Sequence, residues 1–457
     1  MPASAPTPRR FVLRLAAWCG GALLITAPPL HGQAVGPLTY EQFALPNGLE
    51  VVLAPDHSSQ VVGISVWYDA GSRNEPAAKA GLARLFERLL FAGTAHVPPG
   101  GHATVATDLG GRVSASVDEE VGRFTTVLPS SRLALGLWLE AERMGSLAVN
   151  DTTVAEARLG LLDELRGQLQ NEPYAEAISR GIGSLYDSTS CAGYTHSPAG
   201  TLLTISALAT ADAAQYRSER YAPNRARLVV AGDLDPVATR RLVTEYFSGI
   251  PRGPDAPAAT CTPSYRPGPR ELRATDPNAT SIGAGLVYRI PSHEHPDTPA
   301  LELLEIILSQ GSAGRLTSEL MRSARAAYGT QGGILGERRG PGAFALFAIA
   351  SPGVSADSLL GLLARQSAWA AGPEITETDL ARARTIYLAG AVSGRERPGD
   401  IAGVLQHAAT FHGSAAAANT EVAQAQAVTL ADLRRVAAAW LVPANALTLV
   451  VTPEAAR

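Results

Sequence analysis

Three charged residues, Arg84, Glu87 and Arg88, lie three and four positions apart in a segment that we predict to be helical. Residues at this spacing share one face of a helix, so the carboxylate lies near both guanidinium groups. Such groups form ion pairs, each worth about 0–1 kcal/mol where the pair is exposed. A guanidinium carries five N–H donors and no acceptor, so neither arginine can be a metal ligand. From this helix alone, a solvated charged face is the simplest interpretation.

The helix that must position these residues is predicted over residues 75–91. Asn74 and Pro76 are typical of a helix start, and Gly93 is typical of a helix end. A stripe of apolar residues at helical spacing predicts a separate, buried face. The stripe consists of Leu82, Leu85, Phe86, Leu89 and Leu90.

Other common catalytic arrangements are missing from the sequence. It contains no G-x-S-x-G nucleophile elbow and no catalytic-cysteine signature. The single lysine, Lys79, follows an alanine, which excludes a Gly-Lys phosphate-binding loop. Neither His96 nor His102 has a metal-ligating partner four positions away, and we expect His293 and His295 to be exposed loop residues. The formal net charge of −4 and the lack of a basic block disfavour a nucleic-acid partner.

The chain of 457 residues is 46% hydrophobic, which is enough apolar material for folded domains. Two halves, residues 35–250 and 271–457, show a similar order of strands followed by helices and a closing strand. Residues 251–270 are dense in proline and glycine and are predicted to link the halves. Strands that are followed by groups of helices favour an α+β fold over a doubly wound parallel sheet.

Short β-branched or alternating segments predict the strands of both halves. In the first half, strands are predicted over residues 48–54, 61–68 and 226–231. In the second half, they are predicted over residues 280–288, 342–350 and 446–451. A helix is predicted over residues 298–309.

Residues 1–34 have the features of a signal peptide. Arginines precede an apolar run over residues 15–25, and a small-x-small sequence ends at Ala34. We therefore expect export to the periplasm, by either the general secretory or the twin-arginine route. No later segment is long and apolar enough to predict a transmembrane span. In that oxidising compartment, Cys191 and Cys261 either form a disulfide or remain separate thiols.

Residues 71–94 have the sequence GSRNEPAAKAGLARLFERLLFAGT, which resembles the metal-binding helix of the pitrilysin/insulinase family of inverzincin peptidases. In that family, an H-x-x-E-H run supplies two zinc-ligand histidines and a glutamate that acts as general base. Here Arg84 and Arg88 stand at the two ligand positions, and Glu87 stands at the base position.

Three further segments of the first half resemble the same family in the same order. Residues 156–168, EARLGLLDELRGQ, resemble the helix that carries the third zinc ligand, and Glu164 stands at that position. Residues 110–129 resemble the active-site strand of the family. Residues 137–147 resemble the helix that follows this strand.

The resemblance continues into the second half and covers nearly all of the mature chain. Residues 314–332 resemble a segment whose arginine and tyrosine bind the substrate backbone, and Arg322 and Tyr328 are the matching residues. The resemblance implies two tandem homologous domains, each a mostly antiparallel sheet packed with helices. It also implies that Arg322 and Tyr328 bind peptide.

The zinc site that the resemblance implies has lost two of its three protein ligands. A catalytic zinc site needs three such ligands and a water, so we predict no metal and no intact catalytic residue in this chain. Zinc is then expected only in a partner subunit. The two arginines carry the same charge as the ion, so we predict that they form an interhelical cluster with Glu87 and Glu164. Ala157 and Gly160 are small enough to leave room for them.

Two functions remain open at this stage. In the first, the chain is the non-catalytic, substrate-binding subunit of a heterodimeric zinc peptidase, and a catalytic relative carries the intact H-x-x-E-H motif. In the second, it is a structural or peptide-binding envelope protein without a peptidase partner. An active metallopeptidase is disfavoured, because the ligands it requires are absent from the motif.

Overall fold

Each half of the chain contains one sheet, and five strands of each sheet follow the same order. The computed structural model describes residues 35–255, 263–266, 268 and 270–454. The predicted signal peptide, residues 1–34, therefore lies outside the described residues. Within the described ranges, every helix is too short or too polar to cross a lipid bilayer.

The first half contains six strands and eight α-helices among its described residues. The strands are Glu41–Ala44 (β1), Glu50–Pro55 (β2), Val61–Tyr68 (β3), Arg112–Val117 (β4), Gly122–Pro129 (β5) and Ala226–Gly232 (β6). The helices are Leu82–Leu89 (α1), Gly101–Asp108 (α2), Leu133–Ser146 (α3), Asp151–Asn171 (α4), Ala175–Ser184 (α5), Leu202–Ser206 (α6), Thr210–Arg220 (α7) and Pro236–Phe247 (α8). The strand order is β1-β2-β6-β3-β5-β4, in which β2 and β6 are parallel and the other pairs are antiparallel.

The second half repeats this arrangement without a counterpart of β1. Its strands are Arg270–Asp276 (β7), Gly283–Ser292 (β8), Ala327–Ile334 (β9), Pro341–Ala350 (β10) and Ala446–Pro453 (β11). Its helices are Thr298–Ser309 (α9), Ala356–Ala371 (α10), Glu377–Ser393 (α11), Pro398–Phe411 (α12), Glu421–Ala427 (α13) and Leu430–Trp440 (α14). The strand order is β7-β11-β8-β10-β9, in which β7 and β11 are parallel, like β2 and β6, and the other pairs are antiparallel. The predicted α+β fold with two tandem, mostly antiparallel sheets is confirmed.

The boundaries agree best where the apolar pattern is strongest. The predicted strand over residues 61–68 coincides with β3, and the predicted helix over residues 298–309 coincides with α9. Strand β7 was missed, because its sequence RELRATD contains only two apolar residues and its residues alternate between half-buried and exposed. It lies at the edge of its sheet, where such a sequence is tolerated.

The described part of the predicted linker contacts both halves, since the Tyr265 hydroxyl donates to the carbonyl oxygens of Ile290 and Gly342. Tyr265 forms a β-bridge with Tyr186, and the two rings stack with their centroids 5.4 Å apart. Cys191 is disulfide-bonded. Cys261 lies outside the described residues.

Each sheet is covered on one face by a helix of the other half. α12 lies across β3 and β6, and Leu405 of this helix is fully buried in a cluster with Val52 and Val229. Its neighbour Gln406 donates hydrogen bonds to the carbonyl oxygens of Ser65, at 3.0 Å, and Arg227, at 2.8 Å. The halves therefore share their cores.

α5 covers the second sheet in the corresponding way. It lies on β7 and β11, and Ala177 of α5 is buried in one cluster with Leu449 and Phe347. α5 and α12 are both the third helix after the last antiparallel hairpin of their own half. Each half thus contributes one helix that covers the sheet of the other half, and we call this arrangement the reciprocal exchange of α5 and α12.

Replacing Leu405 by alanine should test the contact between α12 and the first sheet. Leu405→Ala leaves a cavity at a fully buried position, which typically costs about 2–5 kcal/mol of unfolding free energy. The change is measured by equilibrium unfolding in urea. Leu203→Ala is the matched control, because Leu203 is 81% exposed and its truncation should cost less than about 0.5 kcal/mol. Equal effects of the two substitutions would contradict the shared core.

Candidate functional site

The helix that carries Arg84, Glu87 and Arg88 starts later than predicted. α1 begins at Leu82, not near Glu75, because Gly81 has a left-handed backbone with φ of +97° that separates two short 3-10 turns from the helix. The Glu75 carboxylate accepts hydrogen bonds from the backbone N–H groups of Gly81, at 2.9 Å, and Ala83. It therefore caps the helix from six residues before Gly81.

Glu75 is a buried residue that the sequence pattern did not reveal. Burial raises the pKa of Glu75 to about 8, although its two backbone donors act in the opposite direction. A signal is present in the sequence: an acidic residue shortly before an apolar helix is a common N-terminal feature. The sequence-based prediction instead made Glu75 the first residue of the helix.

The apolar side of α1 packs against α4 and α7. Leu85, Phe86 and Leu89 are fully buried in the core of the first half, which also contains Leu161 and Leu165 of α4. This contact holds α1 and α4 side by side and turns the charged side of α1 toward Glu164.

Four charged residues form one cluster between α1 and α4. Arg84 Nη2 donates to Glu164 Oε1 at 2.6 Å, and Arg88 Nη2 donates to Glu164 Oε2 at 2.6 Å. Arg84 Nη1 also donates to Glu87 Oε2. Each oxygen of Glu164 thus receives one guanidinium, so the cluster joins α1 to α4. The predicted Arg–Glu cluster is confirmed.

The helix surface beneath the cluster has room for the arginine side chains. A Cβ atom at Gly160 would lie 2.8 Å from Arg88 Nη1, so a larger residue at this position would displace the guanidinium. Ala157, one turn earlier on α4, is buried. The small residue at this position therefore lets Arg88 pass close over α4 in its observed conformation.

The two carboxylates of the cluster have opposite electrostatic environments. Burial alone would raise the pKa of Glu164, but hydrogen bonds from Arg88 and Arg84 outweigh burial and lower the pKa below its usual range. Burial raises the pKa of Glu87 above its usual range despite the opposing effect of Arg84. Glu164 is therefore the firmly ionised member, to which both arginines are anchored.

The residues of the cluster do not fit the zinc ion that the family resemblance implies. Zinc requires lone pairs from nitrogen, sulfur or oxygen, and two of the positions present guanidinium N–H groups instead. Both Glu164 oxygens already accept hydrogen bonds from these groups. The arrangement supplies an interhelical ion-pair network in place of a metal centre.

The other two predicted site residues lie in the second half, on other elements than α1 and α4. Arg322 is exposed in a π-helical turn, Thr317–Ser323, and its Nη2 donates to the carbonyl oxygen of Ser312 at 2.6 Å. Tyr328 lies on β9 and is 50% exposed. Burial, together with the adjacent Tyr328 hydroxyl, raises the pKa of Tyr174 to about 12.

Tyr174 connects Tyr328 to the helix that bears Glu164. It lies three residues after the end of α4, and its hydroxyl donates to the carbonyl oxygen of Ser281 at 2.9 Å. The sequence did not single out Tyr174. Its left-handed backbone, with φ of 72°, is unusual for a tyrosine and gives no signal in the sequence.

Replacing Glu164 by glutamine should weaken the contact between α1 and α4. Glu164→Gln removes the charge that both arginines neutralise, and the expected loss is about 1–3 kcal/mol of unfolding free energy. The loss stays below that of a fully buried pair because the Arg88 side chain is 39% exposed. Equilibrium unfolding in urea measures the difference from the unmodified chain.

The pH dependence of this difference distinguishes the ion pairs from packing. A glutamate in an unfolded chain has a pKa of about 4.3, and that of Glu164 is lower in the folded chain. Its stabilising effect is therefore present above about pH 4 and is lost as the pH falls through the folded pKa. Glu156→Gln, at an exposed position of the same helix, should change stability by less than about 0.5 kcal/mol at every pH. A loss for Glu164→Gln that persists in acid would exclude the ion-pair explanation.

Comparisons with known proteins agree with this architecture. Residues 50–173 match the insulinase family (peptidase family M16), and residues 208–387 match the peptidase M16 inactive domain. The zinc protease PqqE of Helicobacter pylori is 27% identical over 84% of this chain and 86% of its own length. Two shorter similarities are to the mitochondrial-processing peptidase subunit beta of Blastocladiella emersonii and to cytochrome b-c1 complex subunit 1 of Bos taurus. The processing peptidase subunit is 27% identical over 46% of this chain and 44% of its own length. The b-c1 complex subunit is 25% identical over 60% of this chain and 58% of its own length.

Two crystal structures share the fold over almost the whole chain. A protease from Helicobacter pylori superposes with a TM-score of 0.86 and 24% identity, covering 91% of this chain and all of that one. A peptidase M16 inactive domain from Pseudomonas fluorescens superposes with a TM-score of 0.81 and 19% identity, covering 92% of this chain and 99% of that one. Both halves thus match in sequence and in fold, and the chain belongs to the insulinase/pitrilysin family, peptidase family M16.

Proposed function

We propose that this chain is the non-catalytic, substrate-binding subunit of a heterodimeric zinc peptidase that acts on peptides in the periplasm. The observation that carries the proposal is the pairing of Arg84 and Arg88 with Glu164, because two guanidinium groups occupy the place of two zinc ligands. A chain without these ligands needs a partner if the pair is to hydrolyse peptides. That partner would be a relative with an intact H-x-x-E-H motif.

Glu87 has no catalytic task in this chain. In the family resemblance it stands at the general-base position, and a base of this kind acts on a metal-bound water. Here its carboxylate accepts a hydrogen bond from Arg84 and is mostly buried. Its role in the proposal is to hold Arg84 in the cluster. Zinc is expected only in the partner subunit.

The contribution of this chain to the pair would be substrate binding by Arg322 and Tyr328. Both side chains are exposed in the second half. A guanidinium can donate charge-assisted hydrogen bonds to a peptide carbonyl or carboxylate, and a tyrosine offers an apolar ring with a polar tip. For Arg322 to act in this way, it would exchange its hydrogen bond with the Ser312 carbonyl for one with the peptide.

The named relatives support a role within an assembly. Two of them are, by their names, subunits: one of the mitochondrial-processing peptidase and one of the cytochrome b-c1 complex. Export to the periplasm is proposed from the signal-like features of residues 1–34.

Affinity purification of the tagged mature chain from its own cell envelope should recover a second M16 relative in equal amount. Mass spectrometry identifies the recovered protein, and its sequence shows whether both motif histidines are present. A tagged, unrelated exported protein of similar size serves as the control. Recovery of the chain alone, or with envelope proteins of other families only, would contradict the heterodimer and favour the structural or peptide-binding envelope protein.

Substituting Arg322 or Tyr328 by alanine should weaken binding of an unfolded peptide by about tenfold, which corresponds to about 1.4 kcal/mol. The reason is the loss of one charged donor or of one exposed aromatic contact. Fluorescence anisotropy of a labelled peptide measures the dissociation constant. Arg365→Ala is the matched control, since Arg365 is an exposed arginine on α10 of the same half, and it should leave binding within twofold. If all three variants bind peptide alike, these two residues do not form the binding site.

A further inference from the structure

Three histidines that are far apart in sequence meet in the second half. His293 directly follows β8, His407 lies on α12, and His412 directly follows α12. One ring nitrogen of each lies within 4.8 Å of the corresponding nitrogens of the other two. The rings of His293 and His412 have centroids 4.8 Å apart, and those of His293 and His407 are 5.2 Å apart.

The central histidine of this group is buried with an unused nitrogen. His293 is only 9% exposed, contrary to the sequence-based expectation of an exposed loop residue. Its Nε2 atom is buried and has no hydrogen-bond partner among the described residues. An imidazole nitrogen that has no other partner can bind a metal ion.

Two carboxylates accompany the histidines. His407 Nε2 lies 3.2 Å from Glu337 Oε1, and His412 Nε2 lies 3.5 Å from Glu421 Oε1. Carboxylates next to histidines orient metal-binding imidazoles. The acidic groups add the negative charge that favours a cation.

A cavity gives solvent access to the group. It has a volume of about 470 Å³, and its lining includes His293, His412, Glu302 and Glu421. An ion could therefore reach His293 and His412 without opening the core of the second half.

We propose that His293, His407 and His412 form a binding site for a divalent transition-metal ion of the zinc type. Imidazole ligands suit zinc, and three histidines leave one position of a tetrahedral ion for water. Their ring nitrogens lie within 4.8 Å of one another, and ligands of one tetrahedral zinc ion lie about 3.4 Å apart, so binding would require the rings to move closer together. The site lies in the second half, apart from the Arg84–Glu164 cluster, and does not depend on the proposed peptidase function.

The ion in this site would join two elements, the end of β8 at His293 and α12 at His407. Glu337, in the hairpin between β9 and β10, pairs with His407 and so connects a third element to the site. α12 is also the helix that covers the first sheet, and Glu337 lies 3.8 Å from Arg123 of β5. The expected role is therefore structural: the metal would stabilise the junction at which the two halves share their cores.

Zinc binding to the full mature chain, purified without a histidine tag and stripped with a chelator, tests the site. Isothermal titration with zinc chloride should give one equivalent per chain, and the melting temperature should rise with zinc. Cobalt(II) should bind in place of zinc and give the visible absorption bands of a tetrahedral ion with nitrogen ligands. Absence of saturable zinc binding by the unmodified chain would overturn the proposal.

Variants then locate the ion. His412→Ala, at a half-buried position, should weaken zinc affinity by more than about tenfold, and His293→Ala should do the same if it folds. His295→Ala is the control, because His295 lies on the same loop outside the trio and should leave affinity within twofold. Circular dichroism confirms the fold of each variant. Zinc affinity that is unchanged in a folded His412→Ala variant would also overturn the site.

Discussion

The reciprocal exchange of α5 and α12 is the constraint on which the rest of this structure depends. Strands β3, β8 and β10 are buried along almost their whole length, so both faces of each sheet need a cover. A sheet with one solvated face would show alternating burial instead. The helices of each half cover one face of its own sheet, and the other half supplies the cover for the second face. Each half therefore depends on the other for a complete core.

Ion pairs fix the orientation that this exchange requires. Arg338, in the hairpin between β9 and β10, is 4% exposed and pairs with Glu119 of the first half. Arg339 reaches Glu120 at 2.8 Å and also Asp69. Breaking a buried pair of this kind typically costs about 3–5 kcal/mol, because the remaining charge is left without a partner. The ion pairs of Arg338 and Arg339 thus hold in place the hairpin that also carries Glu337.

Arginine takes a similar structural role at the cluster between α1 and α4. The planar guanidinium forms directed hydrogen bonds to a carboxylate, which a flexible lysine forms less specifically. Two such groups bring Glu164 a charge equal to that of a divalent ion and link the same two helices. The charge balance of the site is thereby kept, while the lone pairs that a catalytic metal needs are absent. This separation of structural and catalytic roles is the physical basis for the proposed non-catalytic subunit.

The sequence by itself determined the elements with strong local patterns and the identity of the cluster. β3 and α9 were predicted with their observed bounds, because a continuous or periodic apolar pattern acts over neighbouring residues. The cluster of Arg84 and Arg88 with Glu164 followed from family resemblance combined with charge, and Gly160 followed from the size of the arginine side chain. The pattern that predicts β3 or α9 lies within one segment of the chain. The pattern that predicts the cluster lies in two segments, each of which resembles a helix of the family.

Only the tertiary structure decided the remaining features. The true start of α1 depends on the backbone at Gly81 and on the capping by Glu75 from a preceding turn. The exchange of α5 and α12 depends on which sheet faces remain uncovered, which no local pattern encodes. His293 lies more than a hundred residues before His407 in the chain, and their proximity exists only because the end of β8 meets α12. Contacts between distant segments are set by the packing of whole elements, and a single sequence records them only indirectly.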